Sequence, residues 1–485
     1  VLALLLLLPI LLPVVGGVFV FRQKADRIRM RLVLWLVGLT AASALTLCLL
    51  PERTLDLLTI QGTLRLSLWN DALAKFFMAL ISLIWVPVTV YSFPYLRHAG
   101  KERQFLGFYT MTLGILMGLS MARNFVTMYM FFEMMSLITM PLVLYNATPT
   151  ARSAGFKYLG YSVFGAGMAL AGFFFLSYFL TAPNFLPGGT IDPIHASGHR
   201  ELLLIVWLVM VVGFGAKAGM MPMQAWLPSA HPVAPAPASA VLSGVITKGG
   251  VLAILRVTYY MFGAGFLSGS WAQTALILLS LCTVFVGSML ALREPLFKKR
   301  LAYSTVSQVA YVLFGLTLLT PDGFRGALLQ IVFHALAKDT LFLAAGAVIL
   351  STNFTRVDQL RGIGKRMPVT MWCFTLASLS LIGIPPMSGF VSKWYLASAA
   401  LSGGSAWVGL SGVAVLILSA LLTAGYLLPI VSGGFFPGED YIAERREVGL
   451  PMTVPMLVFS SLALLLGLFP GPLTSWIDSL AARIF

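Results

Sequence analysis

The chain has 485 residues, 59% of them hydrophobic and 10% charged, with a formal net charge of +15 and a mean hydropathy of +0.91. Such a composition is too apolar for a soluble protein of this length. The positive balance is confined to short loops between apolar runs, so no nucleic-acid partner is expected.

Taken in order, the apolar runs predict fourteen membrane spans. The first, 1–21, has no basic segment before it and no small-residue cleavage site behind it, so it is expected to be a span rather than a leader. The spans 32–50 and 72–94 follow, with Asp71 and Lys75 spaced as a solvated i,i+4 clip at the entrance to the third. Next come 105–122 and 125–145, the latter carrying Glu133 about nine residues in, roughly 14 Å deep. A short side chain cannot reach water from there. The structural alternative is a protonated acid bonded to a neighbour.

After 158–180, the span 202–227 holds Lys217 among small residues, just before Pro222. The glycines of Gly213–Gly219 superficially resemble a phosphate loop, but they follow no strand, so nucleotide binding is set aside. The span 239–262 places Lys248 at mid-depth and Arg256 nearer the outer surface, as an interfacial anchor. The spans 272–292 and 301–320 are unmarked. In 324–350, His334 and Lys338 stand at i and i+4 on one helix face and read as a proton relay, with Asp339 beside them as a local counter-ion or a contact to another helix. The span 369–397 contains Pro385 and Pro386, followed by Lys393. The spans 406–430 and 451–469 close the series. A charge at mid-bilayer costs about 2.5–3.5 kcal/mol, so four lysines, a glutamate and a histidine in such positions mark an ion path. Cys48, Cys282 and Cys373 each lie alone, without a CxxC, so no metal, iron–sulfur cluster or other cofactor is expected in this chain.

The loops between spans divide into a strongly basic set, including Arg22–Arg31, Arg97–Arg103, Arg293–Arg300 and Arg356–Arg366, and a sparse set with Arg53, Arg65, Arg123, Arg200, Arg325 and Arg483. This asymmetry predicts a multi-pass protein of the cell (inner) membrane with the first set in the cytoplasm and both termini outside. The segments 105–262 and 272–430 each hold five spans, and an odd number inverts the second copy. The helix breakers Pro222 and Pro385-Pro386 fall in the fourth span of each copy, which predicts discontinuous helices along an ion pathway. The expected architecture is therefore all-α. Residues 1–104 form three N-terminal spans, 105–262 and 272–430 are two inverted repeats, and 431–485 form a loop and last span.

The motifs then become specific. Ala216-Lys217-Ala218-Gly219, the run Trp226 to Pro232, Ala234-Pro235, Ser239-Ala240 and Thr247-Lys248 resemble the antiporter-like subunits of the complex I superfamily, which includes Mrp antiporters and ion-pumping membrane hydrogenases. His334 to Lys338 with Leu341 to Gly346, and Gly383 to Pro386 with Gly389, Phe390 and Lys393, carry the same resemblance, which covers roughly residues 70–430. It implies fourteen helices with inverted five-helix repeats. It assigns Glu133 and Lys217 to a carboxylate–lysine pair, Lys248 to the central link, His334 and Lys338 to the second relay, and Lys393 to the terminal lysine. Asp339 departs from the small residue usual at that place. The resemblance also implies partners: other membrane subunits, further antiporter-like ones among them. The expected function is proton or sodium translocation within a redox-driven complex, with an Mrp-type cation/proton antiporter subunit as the alternative. The chain itself offers no redox or hydrolytic site.

Overall fold

The computed structural model describes residues 2–61, 64–97, 100–403, 405–438 and 444–485. Among them, eleven helices are long and apolar enough to cross a membrane, from Ala3–Arg22 to Leu450–Leu468. The other three predicted spans coincide with helices that are shorter or more polar. These are Glu102–Ser120, Phe297–Thr317 and the broken pair Pro368–Ile382 and Ser388–Ser402.

Polarity is distributed inside out. Ala236–Phe262 and Pro321–Thr352 are buried along the whole of their apolar windows, whereas only 33% of the window is buried in Pro149–Phe179 and in Ala406–Phe435. The outer faces of those two helices present Phe156, Phe164, Phe174, Leu410, Ile417 and Leu421. Meanwhile Lys217, Lys248, His334, Lys338 and Asp339 are enclosed. An apolar shell around a polar axis is the arrangement hydrocarbon demands, because lipid satisfies no polar group. The chain is a multi-pass integral membrane protein.

Sequence rules locate several helix ends. Thr148 caps Pro149–Leu176 by accepting from the Ala151 amide, and Pro149 occupies the first turn, so this helix starts nine residues before the predicted 158. The two predicted interruptions are present. Arg200–Ala218 stops at Gly219 (φ 83°) and Pro368–Ile382 stops at Gly383 (φ 94°), both left-handed caps that need glycine. Pro222 lies in the first gap, Pro385 and Pro386 in the second. Ala236–Phe262 contains two π-helical turns, Leu242–Ile246 and Arg256–Phe262, one on each side of the turns that carry Lys248.

Two elements were not predicted. Thr54–Gln61 and Leu64–Trp69 form an antiparallel hairpin in the register Thr54↔Trp69, consistent with the alternation of Arg65 and Ser67 with Leu66 and Leu68. Beyond the last predicted span, Gly471–Ile484 is an amphipathic helix that buries Ile477, Leu480, Ala481 and Ile484. It is tied down by the pairs Arg325–Asp478 and Arg483–Glu52, and Trp476 lies 5.6 Å from Phe76.

A candidate ion path through the core

Lys217 sits in the last turn of Arg200–Ala218, whose C-terminal dipole favours a cation. This helix crosses Pro149–Leu176 so closely that a Cβ on Gly213 would overlap the Gly165 carbonyl oxygen, and the reverse holds for Gly165. The approach carries Tyr158 and Ser162 up to Lys217 one turn further on. The buried ammonium donates to the Tyr158 hydroxyl, to Ser136 Oγ at 3.0 Å and to Ser162 Oγ at 3.2 Å. It also lies 4.1 Å from the Tyr158 ring centroid. Three hydroxyls thus solvate a charge that hydrocarbon would reject.

Glu133 is not among those partners. It is half-buried, one turn before Ser136 on the same helix face, and forms no ion pair with Lys217 in this conformation. The ammonium therefore rests on hydroxyls and not on this carboxylate.

Lys248 follows the first π turn, and its ammonium donates to the Ser243 carbonyl, which also accepts from the Thr247 hydroxyl at 2.9 Å. The same nitrogen is 2.6 Å from His334 Nδ1. An ammonium can only donate, so Nδ1 accepts and the ring hydrogen resides on Nε2, which is buried without a partner. Lys338, one turn beyond His334, does not join this contact; it donates to the Leu301 carbonyl at 2.8 Å. Lys393 bends back over the second helix break and donates to the carbonyls of Leu381 (2.6 Å) and Ile382 (2.8 Å), the orphan acceptors of Pro368–Ile382.

A narrow void lies between His334 and Lys393, lined also by Gln308, Gln330, Ser380 and Gly389. It is too narrow for a water-sized sphere in this conformation. Gln330 donates to Gln308 at 2.9 Å and accepts from Ser392 at 2.6 Å, and Gln308 keeps a free buried N–H. Hydroxyls extend the polar row: Ser243 bonds Thr305, Tyr426 bonds Ser304, and Ser288 lies between Ser307 and Ser419. Among the described residues no three His, Cys, Asp or Glu side chains come together as a metal site.

Sequence reasoning missed the hydroxyls and glutamines because it sought charges. Tyr158, Ser162 and Gly165 do share one helical stripe, which was a readable signal. Two readings need correction. Asp71 is not clipped to Lys75; it is buried and accepts from both terminal nitrogens of Arg256 at 2.7 and 2.6 Å. Arg256 is no interfacial anchor, being 1% exposed, with its guanidinium 4.6 Å from the Tyr260 ring. Lys75 donates to the Leu50 carbonyl instead. A third group, His231, is buried with both ring nitrogens unpartnered, stacked on Phe342 at 4.5 Å.

Broken helices around a row of buried amines define a membrane protein built to carry ions through its core. Comparison with known proteins places it more narrowly. The chain belongs to the family described as NADH:quinone oxidoreductase/Mrp antiporter, transmembrane, which matches residues 122–420. It is 32% identical over 416 residues to NADH-quinone oxidoreductase subunit N of Desulforudis audaxviator, covering 82% of this chain and 81% of that one. It is 31% identical over 434 residues to hydrogenase-4 component B of Escherichia coli, covering 83% of this chain and 62% of that longer relative. In fold it resembles a chain of the Mrp complex from Dietzia sp. DQ12-45-1b, with a TM-score of 0.87 at 21% identity over 99% of this chain and 97% of that one.

Proposed function

We infer that this chain is the proton-translocating, or alternatively sodium-translocating, subunit of a multi-subunit redox-driven membrane complex. The observation that carries the reading is the set of amines Lys217, Lys248 (paired with His334) and Lys338, enclosed in the core, with half-buried Lys393 beyond them and hydroxyl and amide side chains around them. Residues 105–262 and 272–430 act as two inverted halves of a fourteen-span protein, with residues 1–104 and 431–485 flanking them and both termini outside the cytoplasm.

In the working cycle Lys217 leaves its three hydroxyls for Glu133 and returns, and each exchange of partner changes the free energy of its proton. Two pKa units are worth about 2.7 kcal/mol, while one charge crossing 100 mV is worth about 2.3 kcal/mol. A partner exchange of that size is therefore sufficient. The rearrangement passes through Lys248 and His334 to Lys338, and across the Gln308–Gln330 void to Lys393 once water opens it. Redox chemistry resides on other subunits, and this chain takes no cofactor.

Glu133 supports the existence of a neighbouring membrane subunit. It is half-buried at mid-depth beside Met134 and Leu137, both exposed. A carboxylate left against lipid is untenable there, so another subunit covers this face. The test is Lys217→Ala in the assembled complex. It should abolish ion transport in sealed vesicles while the subunits still co-purify; normal transport would refute the reading.

An Mrp-type cation/proton antiporter subunit is the second reading. It is supported by the family itself, whose description covers both NADH:quinone oxidoreductases and Mrp antiporters. Co-purification with subunits that carry redox centres decides for the first reading, and with small subunits lacking them for the second.

A further inference from the structure

The helix Pro321–Thr352 carries one buried charged side chain that the path above leaves unused. Asp339 is fully buried, and neither carboxylate oxygen meets a hydrogen-bond donor. A carboxylate without a donor is among the costliest groups to enclose, so one that is retained has a partner in some state of the molecule.

Its position narrows the choice. The carboxylate lies against Gly244 of Ala236–Phe262, where any Cβ would overlap it. Gly244 and Lys248 stand at i and i+4 on one helix face, and helical side chains lean toward the N-terminus, which carries the Lys248 stem over residue 244. The ammonium is then held next door, on the Ser243 carbonyl and His334 Nδ1. The amine and the empty carboxylate flank the same helical turn without touching.

The other groups on this side are engaged elsewhere, apart from the neutral Trp85 indole. Tyr109 of Glu102–Ser120 is within electrostatic reach of Asp339, and its hydroxyl donates to the Trp85 carbonyl at 3.3 Å. Trp85 of Ala72–Leu96 is neutral, with a buried indole N–H that has no acceptor. The Tyr91 hydroxyl donates to the Leu343 carbonyl one turn along. On its own helix, Lys338 is engaged with Leu301 and His334 with Lys248. Lys248, at i+4 from Gly244, is the cation on the helix face that meets the carboxylate.

We propose that Asp339 is the second station of Lys248: the ammonium exchanges between His334, which it contacts in this structure, and the Asp339 carboxylate waiting on the same helix face. This inference rests on the ion-path reading above. The move breaks one N–H···Nδ1 hydrogen bond and makes one N–H···O bond; the ammonium keeps its three hydrogens and no proton is transferred in the swing. It leaves Nδ1 open to a proton arriving along the row. The returning ammonium, a like charge at hydrogen-bond distance, expels that proton from Nδ1 to water admitted on the Gln308–Gln330 side, which restores the Nε2–H ring and leaves Nδ1 free to accept again. The π turn at Leu242–Ile246 supplies the hinge, and the bare Cα of Gly244 the room. Asp339 is a positioning residue in this scheme.

The test compares Asp339→Asn and Gly244→Ala with Lys217→Ala in the assembled complex, measuring driven ion transport in vesicles and assembly by co-purification. Each of the first two should lower transport about tenfold or more while the subunits remain together. In a Lys248→Gln background, Asp339→Asn should change the remaining rate by less than about twofold, because it acts through that amine. A merely structural role would instead give losses that multiply. Wild-type transport in Asp339→Asn beside an inactive Lys217→Ala overturns this proposal alone; wild-type transport in both overturns the ion path itself. Should neither first-named variant assemble, structures of the wild-type complex at mildly acid and mildly alkaline pH decide. Lys248 paired with Asp339 in one of them supports the exchange, and Lys248 on His334 in both refutes it.

Discussion

Lys217 shows how a residue's chemistry depends on neighbours that its own sequence context does not name. The flanking Gly215, Ala216, Ala218 and Gly219 indicate only that something approaches closely. What approaches is a cluster of three hydroxyls from two other helices. Such a shell has a functional consequence: hydroxyls hold an ammonium without neutralising it, so it can leave for a carboxylate and come back. Tyr158→Phe removes one charge-assisted hydrogen bond, worth about 1.5–3 kcal/mol, and should lower transport about tenfold or more. The ring remains to fill the site, so assembly should be unaffected; vesicle transport assays set against co-purification yields check both points. Arg256 and Asp71 are a contrasting residue pair. Their bidentate contact is enclosed by aromatic rings and ties the start of Ala72–Leu96 to Ala236–Phe262.

Helix-scale features were legible wherever a local rule writes them into the chain. Apolar runs gave the spans, Pro222 and Pro385-Pro386 marked the two interruptions, and His334 and Lys338 were set on one face by their spacing. Readability failed where an element is short or only half apolar. The hairpin Thr54–Trp69 lay inside what looked like a connecting loop, and Gly471–Ile484 is apolar on one stripe only, so neither registers as a span. Helix crossings were equally hidden. A glycine in a membrane helix announces possible contact without naming the partner, and Gly213 meets Gly165 only in the folded chain. Gly213→Ala should push these helices apart, at roughly 1–3 kcal/mol of destabilisation, and draw Tyr158 away from Lys217. The expected readouts are a lower inactivation temperature of the purified complex together with reduced transport.

For the whole molecule, the sequence alone determined the solvent. Hydropathy and the scarcity of charge demanded a bilayer, and the few charges that remain had to be enclosed. The loop arginines and lysines carry a further prediction at this scale: cysteines introduced near either terminus should react with a membrane-impermeant maleimide from outside intact cells, while one introduced near Lys299 should not. The reverse pattern would invert the proposed topology. Tertiary structure alone decided which of the enclosed groups meet. Lys248 finds His334, Asp71 finds Arg256 rather than Lys75, and Asp339 is brought to Gly244 and left without a donor. The reason is physical. Periodicity along one helix fixes the direction in which a side chain points, but its partner is set by how the other helices cross and how closely they approach. Those crossings depend on packing among residues far apart in the chain, which no local pattern records.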